Sequence, residues 1–372
     1  MRIAGATVHP YALPLVRPWV ASRATLTERR GRLLAVVADD GLVGWGDCAP
    51  LPSSGEAGHA RVFQALDAAA RTLPGRDTAE VPDDDLPEVP EVRWAIETAL
   101  LDLEARRAGL PLWRFLRASV TVMAGSEGTG ARNDAPRTIS PVRVAVNAAL
   151  GPLDPGCADR AEAAAERGFA VGKIKVGVGR IDDERRALAA VVDRTRGRLS
   201  LRLDANRAWP EADARRVLDS LIGRPIDGVE EPLADPTPAA LARLQQDLPF
   251  PLAADESLPV LGLDALLQAR AVRRLVVKPA RLGGIRATLA LATKARAAGV
   301  EVVLTSVVDS AIGVTAAAHL AAALPTENTH GLGTLDWLAR DVAPVPVIVD
   351  GALCLPAGPG LGLVPLGEAS QG

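Results

Sequence analysis

Ala170-Val171-Gly172-Lys173-Ile174-Lys175-Val176, then Leu199-Ser200-Leu201-Arg202-Leu203-Asp204-Ala205-Asn206, then Ile226-Asp227-Gly228-Val229-Glu230-Glu231 are three short, largely apolar runs that each bring charge to their end. The pattern continues on both sides. Runs of the same kind span 142–147, 251–256, 274–278 and 302–306. Between the runs lie longer Ala-, Arg- and Leu-rich stretches with apolar residues at helical spacing, such as 183–192 and 238–248. The run ends recur about every 25 to 30 residues, the room that one strand and one crossover helix need, and seven or eight such units close a parallel barrel. An open doubly wound sheet is the alternative, but it carries a glycine-rich phosphate loop after its first strand, and nothing after Asn147 resembles one. The predicted class is α/β: a modified TIM-type (β/α)7β barrel over residues 140–335.

Upstream, residues 2–14 and 31–37 read as strands, and Asp39-Asp40-Gly41 is a turn into Leu42-Val43-Gly44-Trp45, which makes an antiparallel meander. Helix-like segments follow at 56–72 and 91–107, then a polar, glycine-containing stretch, 125–140, that reads as a linker. Residues 1–125 are therefore expected to form a separate α+β capping domain. The strand-like run 347–355 is expected to return to it, so that about 340–372 completes the cap.

Composition removes several classes of function. The 45 acidic and 42 basic residues are interspersed, without the basic stripe that a phosphate backbone would need, so nucleic acid is not an expected partner. No stretch approaches the roughly 20 apolar residues of a membrane span, and Met1-Arg2-Ile3-Ala4-Gly5 lacks the apolar core of a signal peptide. Cys48, Cys157 and Cys354 are far apart and odd in number, as reduced thiols would be. A cytoplasmic protein acting on a small carboxylate, and compatible with a homo-oligomer, is the expectation.

Lysine is scarce. Of the 42 basic residues only Lys173, Lys175, Lys278 and Lys294 are lysine. Arginine does not release its proton near neutral pH, whereas a desolvated lysine does, so a surviving lysine is a candidate proton carrier. Lys294 lies in a helix-like stretch and reads as a solvated residue. The other three end predicted barrel strands, where parallel barrels carry their chemistry. Lys173 and Lys175 are two apart and share a face, and two ammonium groups so close should bring at least one pKa toward neutral. Asp204, one of Glu230 and Glu231, and one of Asp255 and Glu256 end the next three strands. Carboxylates converging on one barrel mouth repel one another unless a cation joins them, and hard oxygen ligands suit magnesium. Lys278 ends the following strand, which by barrel order places it across the mouth from Lys175. His9, His59, His319 and His330 show neither metal nor triad spacing.

With its Lys-x-Lys strand, three acids and opposing lysine, the sequence resembles the enolase superfamily, specifically its muconate-cycloisomerase-like subgroup, from Gly44-Trp45-Gly46-Asp47 to the C-terminal segment. The resemblance implies Lys175 as principal base, Lys173 as the group that tunes it, and Asp204, Glu230 and Asp255 as ligands of Mg2+, for which Mn2+ can substitute. Within the subgroup, residues 201–209, 305–310 and 331–335 look most like the o-succinylbenzoate synthase family of menaquinone biosynthesis. That likeness implies a lyase: a syn dehydration of the cyclohexadiene carboxylate precursor (SHCHC) through a metal-stabilised enediolate. Asn206, Ser306 and Gly331 are then expected to contact substrate. An N-acylamino acid racemase, in which Lys278 is a second base, and a muconate-type cycloisomerase are the rival activities. The dipeptide epimerases of the subgroup usually carry an Asp-x-Asp pair that is lacking at 331–335, and mandelate-racemase-like members need a barrel histidine. A barrel that only binds a carboxylate is the non-enzymatic reading, against which the retained lysines stand.

Overall fold

The computed structural model describes residues 1–20, 25–78, 81, 85–123 and 142–367. The expected linker at 125–140 lies outside them. The N-terminal part opens with an antiparallel three-stranded meander, β1 (Ile3–Val20), β2 (Thr25–Ala38) and β3 (Val43–Cys48), followed by α1 (Gly55–Thr72), α2 (Pro90–Arg107) and α3 (Leu112–Met123). Next come β4 (Arg143–Ala145) and β5 (Ala148–Pro152). Strands and helices then alternate: α4 (Cys157–Glu166), β6 (Val171–Lys175), α5 (Ile181–Thr195), β7 (Ser200–Asp204), α6 (Glu211–Leu221), β8 (Ile226–Glu230), α7 (Pro238–Gln245) and β9 (Leu252–Ala254). Two short helices, α8 (Leu258–Leu261) and α9 (Leu263–Gln268), precede β10 (Arg274–Val277). After it come α10 (Pro279–Leu282), α11 (Ile285–Ala297), β11 (Glu301–Leu304) and α12 (Ala311–Ala323), and the chain ends in β12 (Ile348–Val349) and β13 (Ala352–Cys354).

β5 to β11 form one seven-stranded sheet in sequence order, every described pairing parallel. The gap between β11 and the first strand is bridged by residues 330–331. Gly331 N–H donates to Leu304 O (2.8 Å), His330 N–H to Ala145 O (2.8 Å), and Asn147 N–H to His330 O (2.9 Å). Two residues thus play the part of the eighth strand. Apolar side chains of the strands and of the helices outside them form one continuous core.

Two expectations need correction. Residues 142–147 are only in part barrel strand: β4 pairs antiparallel with β13 in a small sheet with β12, Val146 and Asn147 meet His330 at the barrel's closure, and β5 carries the first paired barrel strand. The exposed, buried, exposed pattern of β4 is that of a strand covered on one face, whereas barrel strands such as β10 are buried throughout. For the same reason the run 347–355 does not return to the N-terminal meander, since Leu353 pairs with Val144. The chain returns later, where Leu112 N–H donates to Gly360 O (2.7 Å) and Gly360 N–H to Leu110 O (2.8 Å).

The N-terminal part is locked to the barrel by buried carboxylates. α2 lies against β3 so closely that a Cβ at Gly44 or Gly46 would sit 2.0 and 1.9 Å from the carbonyl oxygens of Ala99 and Ala95, which is the reason for both glycines of the Gly44-Trp45-Gly46-Asp47 segment. On its other side α2 carries Glu97, whose Oε2 accepts from the first amides of α11, Ile285 N (2.5 Å) and Arg286 N (3.1 Å). Asp47, at the end of β3, holds the N-cap residue of α12, accepting from Ser310 N (3.3 Å) and Ser310 Oγ (2.8 Å), while the first helical amide, Ala311 N, goes to Asp341 Oδ1 (2.9 Å). A carboxylate at a helix N-terminus satisfies orphan amides and meets the positive end of the helix dipole. His319, buried on α12, accepts from Trp113 N at 3.1 Å and bonds Leu361 O at 3.2 Å. Burial lowers its pKa to about 4, so it is a neutral structural group and no acid or base.

Candidate active site

The chemistry-bearing side chains lie at the C-terminal ends of β6 to β10. Alternation on β6 leaves Gly172 and Ile174 buried and places Lys173 and Lys175 together on the other face. In the sheet Lys175 pairs with Asp204 and Asp204 with Glu230, which puts two acids directly beside the lysine strand. The Lys173 ammonium is 2.5 Å from Glu230 Oε2 and 3.1 Å from Asp204 Oδ2. Lys175 donates to Asn206 Oδ1 at 2.6 Å and stands 3.4 Å from Asp204 Oδ2. Across the sheet Lys278, just beyond β10, is ion-paired with Asp255, just beyond β9. Lys294, by contrast, sits half-exposed on α11 in a pair with Asp264.

The adjacent acids point to different partners. Glu230 faces Lys173, while Glu231, at φ +48°, turns its carboxylate away. Its Oε1 accepts from Asp255 N (2.6 Å), Ser257 N (2.9 Å) and Ser257 Oγ (2.7 Å). Burial pushes the Glu231 pKa up to about 7 against those bonds, so it serves as a fastener for the loop after β9. Asp255 points to Lys278, whereas Glu256 accepts from Asn206 Nδ2 at 2.8 Å. Asn206, expected to meet substrate, is thus held between the base candidate and Glu256. The pairs of acids were legible in the sequence, but the turn that separates their directions was not.

Lys173 is not the lysine brought toward neutral: burial disfavours its ammonium, but the attraction of Asp204, Glu230 and Asp255 outweighs it and drives its pKa up. Burial likewise raises Glu230, whereas Asp204 is brought down to about 2, because Lys173 and Lys175 outweigh its desolvation. The neighbouring lysine is a weaker influence than the acids of the next strands.

Among the described residues no three His, Cys, Asp or Glu side chains stand together as a ready metal cage. The donor set nevertheless fits a divalent cation. The Lys173 ammonium shows that one positive centre reaches Asp204 and Glu230 at once, and Asp255 acts on the same centre. All three are carboxylates, the hard donors that Mg2+ takes. Ser306 and Gly331 meet at the closing end of the barrel, with Ser306 N–H 3.4 Å from Gly331 O and Ser306 Oγ 2.8 Å from Thr334 Oγ1.

Residues 3–116 match the mandelate racemase / muconate lactonizing enzyme N-terminal domain, and residues 156–369 match the enolase C-terminal domain-like family. The chain belongs to the enolase superfamily. Sites in this superfamily set a Lys or His base beside one or two Mg2+ ions. The chain is 28% identical to the L-Ala-D/L-Glu epimerase of Bacillus subtilis, over 98% of this chain and 97% of that one. It is 38% identical to the o-succinylbenzoate synthase of Mycobacterium bovis, over 42% of this chain and 47% of that one. Its structure resembles the muconate lactonizing enzyme from Pseudomonas fluorescens complexed with muconolactone, with TM-score 0.80, 26% identity, and 99% and 97% of the two chains covered. Superfamily membership makes the chain an enzyme, a lyase or an isomerase. No helix among the described residues is long and apolar enough to cross a membrane.

Proposed function

We propose that this enzyme removes the proton next to a substrate carboxylate with Lys175 as base, and that its reaction is the dehydration of SHCHC to o-succinylbenzoate. The observation that carries the reading is the alternation of ammonium and carboxylate groups from β6 to β10 at one end of the sheet. Of the three lysines Lys175 is the one least engaged by acids, its short contact being to the neutral Asn206.

A divalent cation held by Asp204, Glu230 and Asp255 supplies Lewis-acid stabilisation of the substrate carboxylate as negative charge builds on it. Lys173 keeps its positive charge beside that carboxylate. Lys175, as the neutral amine, takes the adjacent proton, and the resulting ammonium gives it to the departing β-hydroxyl on the same face. One C–H and one C–O bond break, water leaves, and the ring becomes aromatic. Lys278 stays charged and packs over the ring. Ser306 and Gly331 meet the succinyl end.

The partial-length likeness to o-succinylbenzoate synthases supports the dehydration, as does Gly331-Leu332-Gly333-Thr334-Leu335 in place of an Asp-x-Asp pair. A second reading, racemisation of N-succinylamino acids, is favoured by the full-length likeness to an epimerase and by Lys278 on the strand facing Lys175. Turnover of SHCHC and racemisation of an N-succinylamino acid, measured with Mg2+ on one preparation, decide between them. Racemisation without dehydration would overturn the first reading.

A further inference from the structure

We infer that Arg29, in the N-terminal meander, is a positioning residue for the substrate loop of the barrel, acting through the peptide of Val308. The inference rests on the proposal that this loop, residues 305–310, meets the part of the substrate remote from the reacting carbon.

Arg29 lies on β2 opposite Leu13 and is 1% exposed. A buried guanidinium is costly unless its donors are used. Here its fork is spread over two separate segments. Nη1 donates to Pro50 O (2.5 Å) and Nη2 to Ala49 O (2.8 Å), both just beyond β3. Nε donates to Val308 O (3.2 Å) and Nη2 also to Asp309 Oδ1 (3.0 Å), both in the loop between β11 and α12. The fixed planar fork makes the distance between those segments a property of one side chain.

What Arg29 holds is strained. Val308 has φ +54°, a conformation that a β-branched residue adopts only when its surroundings impose it. Its side chain is 2% exposed, packed with Leu13 of β1 and with Leu338, so the meander supplies the packing as well as the hydrogen bond. Two residues earlier, Ser306 is tied to Thr334 and Gly331. If the bond to Val308 O is lost, the peptide can relax to an extended conformation, and that moves Ser306. Among the described residues no hydrogen bond or ion pair joins Lys173, Lys175, Asp204 or Glu230 to Arg29, Val308 or Ser306. Arg29 should therefore govern binding of the remote part of the substrate and leave proton transfer alone.

The test compares the wild-type protein with Arg29→Met, using α-proton exchange into deuterated water with Mg2+. The probes are an N-succinylamino acid and its N-acetyl counterpart, which keeps the reacting carbon and lacks the remote carboxylate. Arg29→Met should lower the ratio of kcat/KM for succinyl over acetyl about tenfold, through KM, and leave kcat on the acetyl probe within about threefold. Glycine adopts φ +54° without strain, so Val308→Gly added to Arg29→Met should recover part of the ratio. If Arg29→Met does not fold, Asp309→Asn, which keeps an acceptor for Arg29, should give a smaller change of the same sign. A ratio unchanged in a folded variant, or an equal loss on both probes, overturns the inference. Hydrogen exchange of residues 305–312, followed by mass spectrometry, is the readout that needs no substrate. Arg29→Met should quicken it about tenfold and leave residues 171–178 unchanged, and unaltered exchange at 305–312 also overturns the inference. If the wild-type protein exchanges neither probe, the racemase reading fails while SHCHC turnover still judges the proposed dehydration, and the exchange at 305–312 judges the positioning role by itself.

Discussion

Replacing Glu97 tests whether the N-terminal part stabilises the barrel through helix capping. Its carboxylate, buried with its residue 2% exposed, accepts from Ile285 N and Arg286 N, the first two amides of the thirteen-residue helix α11. Loss of an N-cap acceptor costs about 1 kcal/mol, and stranding a buried donor costs about 1–3 kcal/mol. The two overlap, so Glu97→Ala should lower stability by about 3 kcal/mol. Glu97→Gln keeps an acceptor and loses the charge facing the helix dipole, which points to about 1 kcal/mol. Urea unfolding followed by tryptophan fluorescence and far-ultraviolet circular dichroism gives both numbers. The functional consequence is specific: α10 starts at Pro279, directly after Lys278, and leads into α11, so turnover by Glu97→Ala should fall more than its folded fraction does. An unchanged midpoint for Glu97→Ala, or equal losses for the two variants, would refute the capping argument.

Lys278→Arg keeps a cation beside Asp255 and removes a proton carrier, so dehydration should survive in part while racemisation stops, as a chiral assay of both products would register; equal loss of both activities would assign Lys278 a proton-transfer role in each. For His319 the folded-state pKa of about 4 lies below the ordinary 6.5. The unfolded chain therefore binds the proton first, and stability present above pH 6.5 is lost as the pH falls toward 4, by about 3 kcal/mol. His319→Gln, able to accept from Trp113 N and donate to Leu361 O, should flatten that slope in unfolding curves recorded from pH 7 to 4. A slope identical to wild type would mean that His319 is not the titrating group. Gly46→Ala drives a Cβ against a backbone oxygen at 1.9 Å and should cost about 3 kcal/mol or more, and a soluble variant with an unshifted melting temperature would contradict the close approach of β3 to α2.

Much of the barrel was legible because its strands are short, buried and closed by charge, so that run ends alone located β6 to β11. The first strand was not. Residues 142–150 form a nearly unbroken apolar run, and only the pairing of β4 with β13 decides which half leaves the barrel. The lysines and the acids of successive strands were readable from position and scarcity. Their electrostatics were not, since the charge on Lys173 is set by carboxylates on β7, β8 and beyond β9 that only folding brings near. Asp47 and Glu97 carried a weaker signal as charged residues beside apolar ones, and Arg29, within Glu28-Arg29-Arg30-Gly31-Arg32, carried none; their partners lie up to 280 positions away.

The central claim is that Lys175 moves the proton next to a bound carboxylate. Incubation of wild-type and Lys175→Ala protein with Mg2+ and SHCHC, with formation of o-succinylbenzoate read by proton nuclear magnetic resonance, tests it most directly. The wild type should convert SHCHC to o-succinylbenzoate. The folded variant should lose at least about a hundredfold in rate, the usual worth of a positioned general base. Turnover of SHCHC by Lys175→Ala at near the wild-type rate would contradict the account.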